Sequence, residues 1–369
     1  MSDGTFAVSG SDELDCDLFG IEDEPEDEVR PRMSADDQAL LDRECAAGHG
    51  ALDPDIFGFE DDPEDAARPL MSDADRELLE RECPAEPTII APPVPSPHRA
   101  PWPLYDVRAL MERPFFSLAS RGRPTPIEYA DPRGRCWLLA VPAERLGVAN
   151  IRDAELLILI ASRLVHDQPR GAAVPEVVDL NPRQLLQARG LSASGREYAL
   201  LRAAFARLRG TRYTTNIGPD GKPGPERTFT LITMVTEGER RGHLAVGLGE
   251  WFRTAVAERH LLELSADYLG IAGNYERWLY RVVRKHVGYQ PYFQMSVPTL
   301  WGKSGQGSPL PRFRHELRRI VQANALPDYQ VFWLERGKGE ALISMSPRLE
   351  MVDRRRRSGA SDTARVERE

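Results

Sequence analysis

The chain contains 369 residues, 41% of them hydrophobic and 28% charged, which is enough for two or three domains and excludes a fibrous or wholly disordered protein. The longest apolar run, residues 154–165, is interrupted by charges and is shorter than the roughly 20 residues of a membrane-spanning helix, so we expect no membrane partner. The acidic N-terminus does not resemble a signal peptide, and the four cysteines are not closely paired. Together these features predict a cytoplasmic location.

Charge is divided unequally along the chain. The first 100 residues contain 28 acidic residues and seven arginines, a net charge of −21, whereas the remainder carries +12. The folded part is therefore basic, and the placement of its charges decides whether it can bind nucleic acid.

An internal repeat occupies the acidic region, because residues 17–45 and 55–83 are identical at 18 of 29 positions. Each copy begins Asp-(Leu or Ile)-Phe-Gly and ends in a short helix that Ser34 or Ser72 can cap. Two copies bury too little apolar surface to fold alone, so we predict that residues 1–83 form a mostly disordered arm. A stiff, Pro-rich linker follows at 84–104.

The first predicted domain covers residues 105–270. A hairpin is expected around the turn at 131–134, and a helix buried on nearly every face is expected at 153–165. Two helices joined by a short turn are predicted next, as in a helix-turn-helix: Pro182–Gly190 and Ser194–Arg209. The strands Arg212–Ile217 and Thr228–Val235 then flank a tip at 219–222, which we interpret as a β-wing attached to those helices.

The second predicted domain, residues 271–350, repeats this order. It comprises a helix at Asn274–Val287, a short strand and helical turn, a strong helix at Pro311–Asn324, and a hairpin over 329–346. The predicted fold class is therefore α+β, with two tandem winged-helix domains behind the acidic arm. Residues 351–369 are expected to be a basic, disordered tail.

The helix at Pro311–Asn324 is strongly amphipathic. Phe313, Leu317, Ile320 and Val321 share one arc, and the opposite side is polar and basic. Such a helix fits the major groove, where Arg grips guanine and Gln grips adenine. The alternative is an ordinary solvated face. The predicted base-reading residues are Arg312, His315, Arg318, Arg319 and Gln322.

A second basic stripe runs along the helix at Asn274–Val287, opposite an apolar arc. It matches contact with a phosphate backbone, although salt bridges to neighbouring acids or a protein partner would produce the same pattern. The predicted backbone-binding residues are Arg277, Arg281, Arg284, Lys285, Lys303 and Arg314. The predicted wing residues are Arg336 and Lys338.

Signals of catalysis are weak. Gly302-Lys303-Ser304 resembles the end of a phosphate-binding loop but lacks the required first glycine, since Val297 stands there. Tyr275 and Tyr280 suggest a nicking nucleophile, yet no His-x-His pair is available to hold a metal. The cysteines lack zinc spacing, so we expect no metal site, no cofactor and no enzymatic activity.

Several stretches resemble a known family: Pro114–Leu118, Pro126–Tyr129, Asp153–Ile158, Tyr213–Ile217 and, most specifically, Glu276–His286. They are similar to the replication initiator protein A family of bacterial plasmids, over about residues 110–348. The resemblance implies tandem winged helices that bind repeated double-stranded sequences at a plasmid origin and recruit host replication proteins. It also implies a homodimer formed through the first winged helix. Tyr292–Met295 and the acidic arm depart from the family's pattern.

The arm has three open interpretations. Its repeats resemble degraded peptides that dock on the sliding clamp, without the initial Gln, and the docking residues would be Leu18, Phe19, Ile56 and Phe57. The other interpretations are an acidic shield that competes with DNA and a solubilising tail.

Two functions therefore remain. The first is a plasmid replication initiator that recruits a host helicase, initiator or clamp. The second is a winged-helix transcriptional repressor, which could act on its own gene.

Overall fold

The computed structural model describes residues 101–348 except 121, 144, 170, 171, 289 and 337–339. The acidic arm with Leu18, Phe19, Ile56 and Phe57, most of the linker, the wing residue Lys338 and the basic tail lie outside the described residues. The described chain contains both helices and sheets, as expected from the sequence.

The described helices are α1 (Arg108–Glu112), α2 (Ala154–Asp167), α3 (Pro182–Ala188), α4 (Gly195–Gly210), α5 (Glu250–Ala257), α6 (Asn274–Val287), α7 (Val297–Lys303) and α8 (Leu310–Ala323). Several of these helices have a side-chain N-cap at their first turn. The Asn181 side chain accepts hydrogen bonds from the backbone N–H groups at the start of α3, and Ser194 and Ser296 cap α4 and α7 in the same way.

The strands are β1 (Leu104–Val107), β2 (Ile127–Ala130), β3 (Trp137–Val141), β4 (Val177–Leu180), β5 (Arg212–Ile217), β6 (Pro223–Phe229), β7 (Ile232–Glu237), β8 (Leu244–Leu248), β9 (Leu261–Leu264), β10 (Phe293–Ser296), β11 (Tyr329–Arg336) and β12 (Glu340–Pro347). All of their pairings are antiparallel.

One arrangement occurs twice along the chain. A helix, a strand and two helices follow one another from α2 to α4 and again from α6 to α8. The hairpin β11–β12 follows α8 directly, whereas β5 and β6 intervene between α4 and the hairpin β7–β8. The sheets correspond as well, because their strand orders are β4-β8-β7 and β10-β12-β11. In both sheets the strand that precedes the helix pair lies beside the last strand of the hairpin.

The hairpin predicted around the tip at 219–222 forms as β5–β6, but it is not the hairpin of this arrangement. The run Thr228–Val235, predicted as one strand, is divided between β6 and β7, which belong to different sheets. The chain crosses between them at Thr230 and Leu231, where Gly249 packs so closely that a Cβ would lie 2.0 Å from the Thr230 carbonyl oxygen. The β5–β6 hairpin extends a separate sheet of order β2-β3-β5-β6, and the hairpin equivalent to β11–β12 is β7–β8.

The two arrangements share a continuous core. Every side chain from Ala154 to Ser162 of α2 is buried, as predicted for a helix inside a domain. β1 pairs with β9 and so joins the start of the N-terminal half (β1 to β9) to its end. α1 packs against α6, so this half contacts the C-terminal half (α6 to β12) directly. None of the described helices combines the length and apolar character needed to cross a bilayer.

Candidate nucleic-acid interface

Helix α8 separates an apolar side from a charged one. Phe313, Leu317 and Ile320 are buried, and the Phe313 ring packs edge-on against Trp278 with 5.7 Å between the centroids. This side anchors α8 on α6. The opposite side is exposed and consists of the five predicted base-reading residues, hereafter the α8 face: Arg312, His315, Arg318, Arg319 and Gln322.

Two arginines of the α8 face are positioned by neighbouring elements. The guanidinium of Arg318 lies over the Trp333 ring of β11, 4.8 Å from its centroid. Arg319 donates to the carboxylate of Glu276, at the start of α6, and its Nε lies 3.2 Å from Glu316 Oε2. Both side chains remain more than half exposed. The α8 face is thus a solvent-facing surface on a helix that the core holds in place.

Three of the four cations predicted to form a basic stripe on α6, Arg277, Arg281 and Lys285, are hereafter called the α6 stripe; the fourth, Arg284, is described separately below. Arg281 is 2% exposed, and its Nε donates to Asp106 Oδ2 of β1 at 2.6 Å. Arg277 is also buried, and it pairs with Glu155 of α2. Because these cations are withdrawn from solvent and neutralised, the prediction that they contact phosphates is wrong. The alternative interpretation, salt bridges to acids, is confirmed.

The third cation of the α6 stripe enters a buried cluster around Glu112 of α1. Lys285 Nζ lies 2.6 Å from Glu112 Oε2, and Lys303 Nζ lies 3.0 Å from Glu112 Oε1. Burial alone would raise the pKa of the Glu112 carboxyl, but the charges of Lys303 and Lys285 hold that pKa well below its ordinary value. Burial, reinforced by the two lysines, also holds the pKa of the adjacent His286 well below its ordinary value, so this ring is neutral.

The prediction for Lys303 is corrected as well, because its side chain is only 5% exposed and is paired with Glu112 instead of facing DNA.

Each cation of the α6 stripe meets one carboxylate of the N-terminal half. Four residues apart on one helix face, they join the two halves along the length of α6. Removing such charges from water costs free energy, and the ion pairs offset this cost only when both partners of each pair are present.

Burial does not decide whether the remaining predicted backbone-binding residues can contact DNA. Arg284 and Arg314 are half-buried, and Arg284 Nε donates to the Glu263 carbonyl at 2.7 Å. Arg336 lies in β11, but its side chain is outside the described part, as is Lys338.

Comparison with known proteins agrees with the resemblance drawn from the sequence. The family model for replication initiator protein A matches residues 105–331. The chain belongs to this family. A relative from Wigglesworthia glossinidia brevipalpis, provisionally named a replication protein, is 32% identical over 232 residues, which cover 60% of this chain and 82% of the relative.

Two solved structures of RctB domains 2 and 3 show a more distant likeness to this replication initiator A member. One, of selenomethionine derivatives, is 16% identical with a TM-score of 0.46 and covers 66% of this chain and 98% of its own. The other is 14% identical with a TM-score of 0.44 and covers 66% and 97%. At TM-scores below 0.5 these similarities do not define a shared fold.

A basic hairpin tip in this family member was missed by sequence reasoning. The β7–β8 hairpin turns through Glu239-Arg240-Arg241-Gly242, and both arginines are exposed. The base of the hairpin is anchored, since His243 Nδ1 lies 2.7 Å from Asp179 Oδ2 on β4. The Gly-Glu-Arg-Arg-Gly sequence between two β-rich runs was the available signal for this hairpin, and it was overlooked because Thr228–Val235 was predicted as one strand.

The weak catalytic signals have structural explanations. Tyr280 is fully buried, and its hydroxyl accepts a hydrogen bond from the Ser265 backbone N–H at 2.7 Å. Tyr275 is half-buried, with its hydroxyl 3.0 Å from that of Ser308. Within the described residues no group of three or more His, Cys, Asp or Glu side chains has a metal-binding arrangement.

Proposed function

We propose that this family member is a plasmid replication initiator. It binds repeated double-stranded sequences at a plasmid origin through two tandem winged helices and recruits host replication proteins without catalytic activity of its own. The observation that carries the proposal is the α8 face, a cluster of exposed major-groove-reading side chain types on a firmly anchored helix.

The doubled arrangement supports the winged-helix part of the proposal. In each copy two helices precede a hairpin, directly in the second copy and after β5 and β6 in the first, and the strand before the helices joins that hairpin in a three-stranded sheet. In this geometry the second helix of the pair enters the major groove, and the hairpin reaches the neighbouring backbone. In this proposal α8 of the second copy enters the major groove, and β11–β12 lies beside the neighbouring backbone.

The charge of the α8 face suits a nucleic acid partner. Arg312 and Arg318 are exposed on it beside His315, and Glu316 already pairs with Arg319. Exposed arginines release the counterions that surround DNA phosphates, which gives affinity independent of sequence. Arginine and glutamine add the bidentate base contacts that give sequence preference.

The N-terminal half contributes a second contact in this proposal. Arg240 and Arg241 stand at the tip of β7–β8, the hairpin equivalent to β11–β12, and we assign them to the DNA backbone. A homodimer formed through this half would set the spacing of neighbouring repeats. A host helicase, initiator or clamp would then be recruited to the assembled complex.

Plasmid maintenance combined with nuclease footprinting tests the proposal. A fragment carrying this gene and its flanking DNA should replicate as a plasmid in a suitable host, and the purified protein should protect a series of direct repeats. Introducing Arg312→Gln together with Arg318→Gln should abolish maintenance while the protein still accumulates. Failure to replicate, with protection of a single inverted repeat, would instead identify a transcriptional repressor.

The absence of catalysis is tested separately. The purified protein should neither hydrolyse ATP nor nick a supercoiled origin plasmid with magnesium present. Nicking that is lost in Tyr275→Phe would overturn this part of the proposal.

A further inference from the structure

Two neighbouring arginines of the α8 face have different surroundings. Arg318 lies flat over Trp333, and its ion pair with Glu335 is long, at 3.9 Å. Arg319 is held by two carboxylates, one on α6 and one on α8 itself, and the second ion pair measures 3.2 Å. The two side chains are almost equally exposed, at 56% and 53%, so accessibility alone does not separate them.

The two kinds of contact use different parts of a guanidinium. Stacking on an aromatic ring occupies the flat face and leaves the N–H groups in the guanidinium plane available. A carboxylate consumes those N–H groups, and they are the ones that form a bidentate pair with guanine. The donors of Arg318 are therefore presented to a ligand, whereas Nε and Nη2 of Arg319 are already occupied within the protein.

Trp333 is a fixed platform for this stacking. It lies in β11, where it is paired with Ile343 of β12, and it is partly buried against the core. Its neighbour two residues earlier on the same strand face, Val331, is completely buried. Because the ring cannot move freely, it limits the conformations of the long Arg318 side chain before any ligand arrives, and less entropy is lost on binding.

We propose that Arg318 determines base specificity and that Trp333 is the positioning residue that presents its guanidinium to a guanine in the major groove. Arg319 links α8 to α6 through its ion pair with Glu276 and contributes little to base choice. This assignment rests on the proposed DNA-binding function and divides the α8 face into residues with separate roles.

Arginine-to-lysine substitutions test the assignment with matched neighbours. Arg318→Lys keeps the positive charge but loses the planar donors, so the ratio of affinities for the footprinted repeat and for random DNA should fall about tenfold or more. Arg319→Lys should leave this ratio within about twofold. When each G·C pair of the repeat is replaced in turn by A·T, Arg318→Lys should become indifferent at one guanine that the wild type requires.

Substitutions of Trp333 test the positioning role. Trp333→Phe retains an aromatic face and should keep the affinity ratio within about twofold, whereas Trp333→Leu should lower it about fivefold at the same guanine as Arg318→Lys. Unfolding midpoints of all variants show whether the sheet is intact. If Trp333→Leu fails to fold, the two lysine variants still decide the assignment of Arg318.

The outcomes distinguish this inference from the proposed function. A wild-type protein that prefers no sequence would overturn both. A wild-type protein that prefers the repeat, with Arg319→Lys losing more discrimination than Arg318→Lys, would overturn only the assignment of the two arginines. Equal discrimination by Trp333→Leu and Trp333→Phe, both folded, would overturn the role of Trp333.

Discussion

Helices α6 and α8 share an amphipathic pattern, but their basic residues lie in opposite environments. Both are 14 residues long, and both place arginines opposite an apolar arc. Yet Arg277 and Arg281 of α6 are buried in ion pairs, whereas Arg312 and Arg318 of α8 face solvent. The same amphipathic pattern therefore holds the two halves of the molecule together in one helix and leaves an exposed basic surface in the other.

The difference lies in the carboxylates that each helix meets. Asp106, Glu112 and Glu155 lie on three elements of the N-terminal half, and each receives one cation of the α6 stripe. Along the α8 face, by contrast, Arg319 is the residue that two carboxylates hold closely. A basic helix is thus available to DNA only to the extent that the rest of the fold leaves its charges uncompensated.

Breaking the α6 stripe should have the largest effect on stability. Arg281→Ala leaves Asp106 buried without its partner, so the free energy of unfolding should fall by about 3–5 kcal/mol. Chemical denaturation of the full chain measures this, and Arg312→Ala on α8 is the matched control that should change stability by less than about 0.5 kcal/mol. Equal losses in the two variants would remove the distinction between the helices.

Acidification should weaken the contact between the two halves at α6. The pKa of His286 is lowered in the folded protein, so below its ordinary value of about 6.5 the unfolded chain binds a proton that the folded chain does not. Stability is therefore complete above that pH and falls below it, with a slope of up to about 1.4 kcal/mol per pH unit for one proton. Glu112, whose pKa is also lowered, should add a further loss below about pH 4.3.

His286→Gln isolates the first part of this loss, since it cannot titrate. Its free energy of unfolding should change less than that of the wild type between about pH 7 and pH 5.5, where the unfolded-state histidine takes up its proton. Identical pH profiles would show that His286 does not couple to folding.

The smallest expected effect tests the acidic-shield interpretation of the arm, in which the arm competes with DNA for the α8 face and not for the buried arginines of the α6 stripe. Deleting residues 1–83 should raise affinity for random DNA several-fold at about 50 mM salt, and the gain should largely vanish at about 200 mM. Electrophoretic or fluorescence titrations of the full and truncated chains measure this. An equal gain at both salt concentrations would rule out an electrostatic shield.

Local patterns predicted much of the fold because they depend on nearby residues. The bounds of β5 and α6 agree with the sequence prediction, and so does the apolar side of α8. The role of the α6 stripe could not be predicted, because Asp106 is separated from Arg281 by 175 positions and nothing local pairs them. The hairpin predicted around 219–222 forms as β5–β6, but it is not the counterpart of β11–β12, since β6 and β7 are contiguous in sequence and belong to different sheets.

The most direct test compares two double variants for binding to the footprinted repeat. Asp106→Asn with Arg281→Gln removes both buried charges of one α6 ion pair, and Arg312→Gln with Arg318→Gln removes two exposed charges of the α8 face. Under conditions in which both proteins are folded, the α6 variant should bind within about twofold of the wild type, and the α8 variant should bind at least about tenfold more weakly. A folded α6 variant that loses affinity as severely as the α8 variant would contradict the division of roles between the two helices.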